Sequence, residues 1–221
     1  MKLKKIASLM LAGVMAISML AGCSNGGNTE KPEEPATGVN ATTVIAALNK
    51  DTAKNVTFAA SAELQKTLED AIKYKGTGSY DQVTSGILSL IDTDLNTSGR
   101  LPVAGNDNVA DESEGKEQSF TFIVSVNDAQ DYTEKYVVNE LAKKIDNQNV
   151  CLNNNSQPAS WNSLCVKTPI YEETVNGNKS EYYYAFSYTA DVAVATASNT
   201  KGETVTYAAV TVTRTPSKNA W

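Results

Sequence analysis

Residues 182–194 read YYYAFSYTADVAV. Tyr182, Tyr184, Phe186, Tyr188, Val192 and Val194 share one face, while Tyr183, Ser187, Thr189 and Asp191 share the other. A period of two held over this length marks a long strand with a buried side. Just upstream, Asn176-Gly177-Asn178 separates the run from VKTPIYEETV at 166–175. Asn-Gly between two alternating segments predicts a hairpin, because both turn residues tolerate a left-handed backbone. Downstream, residues 199–202 read as a second turn and 204–214 as the last strand, which Pro216 ends. Residues 217–221 remain as a tail.

Working back from this meander, residues 119–126 (SFTFIVSV) place Phe120, Phe122, Val124 and Val126 on one side, as a strand does. Asp131 then opens a helix with Glu134 as its capping-box partner and an apolar stripe of Val138, Leu141 and Ile145, supported by Val137 and Ala142. Earlier in the chain the period changes. Residues 61–75 carry Leu64, Leu68 and Ile72 at four-residue spacing behind Ser61 as a cap. Glu69 and Lys73 form a favourable i,i+4 pair, and Gly76 closes the helix. Residues 41–50 suit a short helix capped by Thr42 or Thr43. Residues 81–95 read as a helix, although ILSLI within them would serve equally as a buried strand. Residues 96–117 form a long polar loop. The expected fold is α+β: a helical half at 41–95, then a β-rich half at 118–216. Its sheet is mainly antiparallel, with one inserted helix, and helices cover one face.

The N-terminus is of another kind. Lys2, Lys4 and Lys5 precede an apolar run over 6–20, too short for a membrane span of about 20 residues. The run ends Leu20-Ala21-Gly22-Cys23. This segment, residues 1–24, resembles the signal peptide and lipobox of bacterial membrane lipoproteins. The resemblance implies that residues 1–22 are removed and that the Cys23 thiol receives a diacylglycerol. It further implies an extracytoplasmic location, with the membrane as a partner through that lipid. Each buried methylene contributes about 0.8 kcal/mol, so two or three acyl chains hold firmly. Residues 24–40, SNGGNTEKPEEPATGVN, are too polar to offset their ordering entropy and read as a tether reaching at most ~60 Å.

Removing the signal takes away three lysines and no acidic residue, so the formal charge of -6 becomes -9. Such a surface disfavours nucleic acid and anionic lipid head groups. There is no histidine, which excludes Ser-His-Asp and Cys-His catalysis and imidazole metal sites. No phosphate loop, GxGxxG or GxSxG stands in the chain, and no cofactor is implied.

Candidate sites are few. Cys151 and Cys165 enclose a polar loop, and in an exported protein they predict a disulfide worth ~3 kcal/mol, with a pair of reduced thiols as the rival reading. Asp92, Asp94 and Asn96 alternate as ligands do in a calcium loop. Thr97 and Val103 stand where that loop needs glycine and glutamate, which makes it a weak metal candidate. Asp107, Asp111, Glu112 and Glu114 read as a solvated acidic loop. Alternation marks Tyr182, Tyr184, Phe186 and Tyr188 as a buried face, leaving Tyr183 opposite as the surface contact. These features point to a non-enzymatic binding or envelope-assembly module, its partner an envelope protein or glycan. The alternative is a carboxylate-based hydrolase of envelope polysaccharide or peptide. Cys23→Ala is expected to move the protein from the membrane fraction to the soluble one without lowering its melting temperature. Retention in the membrane fraction would contradict the anchor.

Overall fold

A computed structural model of the chain describes residues 37–75, 101, 115–153, 155, 157–198 and 202–221, all within the compact unit Ala36–Trp221. The strands are β1 (Thr57–Ala60), β2 (Gln118–Asn127), β3 (Asn149–Leu152), β4 (Pro158–Ser160), β5 (Tyr171–Val175), β6 (Asn178–Ser198) and β7 (Thr204–Ala220). The helices are α1 (Ala41–Ala46), α2 (Ala62–Lys75) and α3 (Glu134–Asp146). The domain is α+β, with a five-stranded sheet ordered β1-β6-β7-β2, β5 joining the far end of β6, and a separate β3–β4 pair.

The long alternating run is β6. It pairs antiparallel with β7 from Tyr182↔Ala220 to Ser198↔Thr204. The Asn176-Gly177 turn forms as expected: its two residues have φ of 53° and 80° between the paired Val175 and Asn178. Gly202 also takes a positive φ, 82°, just before β7.

Pro216 does not end the last strand. β7 continues to Ala220, and Trp221 N–H still donates to Glu181 O at 3.0 Å. Phe186, opposite Pro216, donates its N–H away from β7, to Val166 O at 2.9 Å. Pro216 therefore occupies a position whose nitrogen also points outward, beyond the last β2 pair at Gln118↔Arg214, and no ladder bond is lost.

Both faces of the sheet are covered, not one. On the first face Phe120, Phe122, Val124, Phe186, Tyr188, Val192 and Val210 meet α1, the α3 stripe (Val137, Val138, Leu141, Ile145) and Trp161. On the second, Leu64, Leu68 and Ala71 of α2 lie on Ile123, Ala193, Ala197, Tyr207 and Ala209. Three alanines in that floor leave room for the leucines of the helix. Alternation in β6 thus hides two apolar faces in its second half, because alanine fills the positions that elsewhere carry hydroxyls.

Local details differ from expectation for identifiable reasons. Val39 already packs on the core, two residues before the expected start at 41. Asn40, not Thr42 or Thr43, caps α1. Its Oδ1 accepts from Thr43 N at 3.0 Å while Thr43 Oγ1 accepts from Asn40 N at 3.1 Å. Asp131 ends a 3-10 turn rather than opening α3, because Asp128 is left-handed at φ 53°; the cap is Thr133, which accepts from Tyr136 N at 3.3 Å. On α2, Ser61 Oγ accepts from Leu64 N at 3.3 Å as expected. The ion pair that forms is Lys66–Asp70 at 2.6 Å, and Glu69 accepts from Gln65. Strand β1 carries no alternating signal of its own. It pairs parallel with β6 over Thr57↔Thr189 to Ala60↔Val192. Beyond it, the Gln65 amide takes over the ladder, donating to Val194 O and accepting from Val194 N, both at 3.0 Å. Residues 81–95 lie outside the described residues.

The expected Cys151–Cys165 disulfide is not formed; both thiols are free. Each is drawn to its own neighbourhood instead. Cys151 Sγ donates towards Ala159 O and Ser160 O at 3.5 and 3.6 Å, and Cys165 Sγ to Lys167 O at 3.0 Å. The excursion is held by other bonds: Trp161 Nε1 to Ile145 O at 2.9 Å, Tyr188 Oη to Cys165 O at 2.5 Å, and Leu101 bridging β3 at 3.1 and 3.0 Å.

Leu68 is fully buried between α2 and the sheet. Leu68→Ala is expected to cost about 2–5 kcal/mol in chemical denaturation. Lys66→Ala, in an exposed pair, should leave the midpoint nearly unchanged. A small effect of Leu68→Ala would show that α2 does not cover the second face.

Candidate ligand-binding face

The second face of the sheet is apolar only beneath α2. One row further along, Ala59, Asp191, Thr211 and Thr121 lie side by side across β1, β6, β7 and β2. The next row is Thr57, Thr189, Thr213 and Ser119. The next places Ser187 beside Thr215, whose Oγ1 donates to Glu117 Oε1 at 3.1 Å. Thr121 and Thr211 share a hydroxyl hydrogen bond of 2.8 Å, and Ser187 Oγ donates to Thr215 O at 3.5 Å. Thr57, Ser187 and Thr189 are exposed, while Ser119, Thr211, Thr213 and Thr215 are half-buried. Threonine satisfies two demands here: its branched Cβ suits the extended backbone, and its hydroxyl both donates and accepts.

Two carboxylates lie near one another at the inner edge of this face. Ser61 N–H donates to Val192 O at 3.0 Å, which seats the start of α2 on β6. That contact brings Glu63, in the first turn of α2, towards Asp191. Burial, and then the Glu63 charge, push the Asp191 carboxyl above its ordinary range.

The outer edge is aromatic. Tyr183, the surface contact expected from alternation, is half-buried and meets the exposed Trp221 edge-on, with ring centroids 6.1 Å apart at 81°. The row on the opposite face divides. Phe186 and Tyr188 are buried as expected, but Tyr182 and Tyr184 are only half so. Tyr182 lies between Tyr171, at 5.6 Å, and Lys218 Nζ, 4.0 Å over its ring. Lys218 in turn pairs with Glu173 at 2.6 Å, so a salt bridge from β7 to β5 closes over this row.

Beneath that row, Arg214 is fully buried, its guanidinium 4.4 Å over the Phe186 ring and bonded to the Gln118 side-chain carbonyl. Tyr188 lies beside it, its hydroxyl held well above the usual range by burial. Burial likewise lifts Cys151 to about 11, with Cys165 adding and Arg214 opposing. A thiol protonated at neutral pH is a weak nucleophile and ligand, so Cys151 serves packing. Among the described residues no three of His, Cys, Asp and Glu converge to hold a metal. Cys23, the calcium-loop candidates Asp92, Asp94 and Asn96, and the acidic group Asp107, Asp111, Glu112 and Glu114 lie outside the described residues.

Sequence reasoning placed Tyr183 and Asp191 on the correct side but missed Glu63 as a neighbour. It also missed the hydroxyl rows, which become legible only when alternate Ser and Thr positions of four strands are aligned. Asp191 yields a pH test. Its folded pKa lies above the unfolded value of about 3.9, so the folded state binds the extra proton in that window and stability falls as pH rises through it. Asp191→Asn is therefore expected to melt higher than the parent at pH 7, with the difference vanishing near pH 3. A variant that melts lower at pH 7 would contradict the burial. No family model matches the chain, and no curated protein or solved structure matches it either.

Proposed function

We propose that this chain is a lipid-anchored extracytoplasmic module that binds a component of the bacterial cell envelope, without catalysing a reaction on it. The single observation that supports binding is the second face. Three rows of hydroxyls lie on a rigid four-strand framework, bounded by Asp191 and Glu63 at one edge and by Tyr183 and Trp221 at the other. A rigid sheet presents donors and acceptors at fixed spacing, so little ordering entropy opposes binding. The lipobox-like start supports the location, and the polar stretch at 24–36 would give the face reach.

A hydrolase remains the second reading, favoured by one feature: a carboxylate with a raised pKa beside another carboxylate is the arrangement used for general acid and base work. One experiment separates the two. Purified protein is mixed with envelope fragments of the native host, and both retention and released soluble product are measured. Binding alone predicts retention that Tyr183→Ala weakens about tenfold, with no product. Product release abolished by Asp191→Asn would establish the hydrolase, and absence of retention would defeat the binding proposal.

A further inference from the structure

An open surface depression of about 170 Å³ lies on the first face, between the start of α3 and the first residues of β7. It is independent of the hydroxyl face and its aromatic edge. One wall is Tyr132, which is 47% exposed. The floor is apolar, with Val39 and Val137. The polar lining is Glu134, Gln130, Thr196 and Thr206, of which Thr206 is buried.

These groups are held in place before any ligand arrives. Tyr136 stacks behind Tyr132, ring centroids 4.5 Å apart and 27° between planes. Gln130 Oε1 accepts from Thr204 N at 2.8 Å and from its hydroxyl at 2.7 Å, and Gln130 N–H donates to that hydroxyl at 2.9 Å. With its carbonyl so fixed, the amide turns its NH₂ the other way, as a donor. Thr196 and Thr206 share one hydrogen bond of 2.9 Å, which leaves the pair one further O–H donor and several lone pairs.

We infer that this cavity binds a single pyranose ring. Such a ring has one C–H face that packs on an aromatic wall and a rim of hydroxyls that each donate and accept. The depression brings together an aromatic side chain, apolar side chains, a carboxylate acceptor, an amide donor and a hydroxyl pair, the kinds of group such a ring uses. Its volume falls below the roughly 300–1,000 Å³ of sites for drug-sized ligands, which favours a ligand of about one ring in contact. A phosphate or carboxylate ligand is disfavoured by Glu134 on the rim and Asp131 beside it.

The test is titration of purified, isotope-labelled protein with three neutral probes: methyl α-glucopyranoside, methyl β-galactopyranoside and N-acetylglucosamine, followed by amide chemical shifts. The expected result is saturable shifts from at least one probe, centred on residues 129–136, 196 and 206. Tyr132→Ala should weaken that binding about tenfold, and Tyr132→Phe should restore it, since the ring and its stack on Tyr136 are kept. Glu134→Gln should weaken it less. Tyr183→Ala, on the other face, should leave it unchanged, which separates this site from the proposed envelope-binding face. No saturable shift with any probe would overturn the inference. So would binding that survives Tyr132→Ala undiminished, or binding lost with Tyr183→Ala.

Discussion

The β6–β7 ladder is the constraint on which the rest of the domain depends. It joins two long strands over their whole described overlap, from the aromatic end at Tyr182 and Ala220 to the turn end at Ser198 and Thr204. Every other described strand of the sheet is attached to one of these two: β1 and β5 to β6, β2 to β7. A shift of one residue in this ladder would turn all its side chains over at once. Two features oppose a slip. The Lys218 ammonium of β7 lies over the Tyr182 ring of β6, and the Arg214 guanidinium of β7 is held between the Phe186 ring of β6 and Gln118.

From that ladder, side-chain size decides what each part of the second face does. Where β6 and β7 carry Ala193, Ala197 and Ala209, α2 settles and a second apolar cluster forms. Where they carry Thr189, Thr211, Thr213 and Ser187, hydroxyls take the same positions and stay partly open to water. The change comes at Asp191, where the helix begins. The first face behaves differently because its large side chains, Phe120, Phe122, Phe186 and Tyr188, demand thick cover from α1, α3 and the β3–β4 excursion with its Trp161.

That excursion shows how a small domain can hold a long insertion without a covalent crosslink. Backbone bonds pair β3 with Leu101, and the indole bond from Trp161 to Ile145 connects the excursion to α3. Tyr188 reaches out of β6 to the carbonyl of Cys165, so the same residue that fills the core also ties the loop. Cysteine spacing suggested a crosslink, because loop length is visible in sequence whereas the local acceptors for each thiol are not.

The amino-acid sequence by itself determined the elements whose signals are local. These are the period of β2 and β6, the Asn-Gly hairpin, the stripes of α2 and α3, the burial of Phe186 and Tyr188, and the α+β class. Each rests on the spacing of residues within a dozen positions, which the backbone geometry converts directly into a face. Only the tertiary structure decided that helices cover both faces, that four residues at 57–60 form a parallel strand, that β7 runs past Pro216, and that Glu63 comes near Asp191. Those outcomes depend on which strands lie beside one another. Pairing between distant segments is set by the sum of many weak contacts across the sheet, and no stretch of chain carries that sum alone.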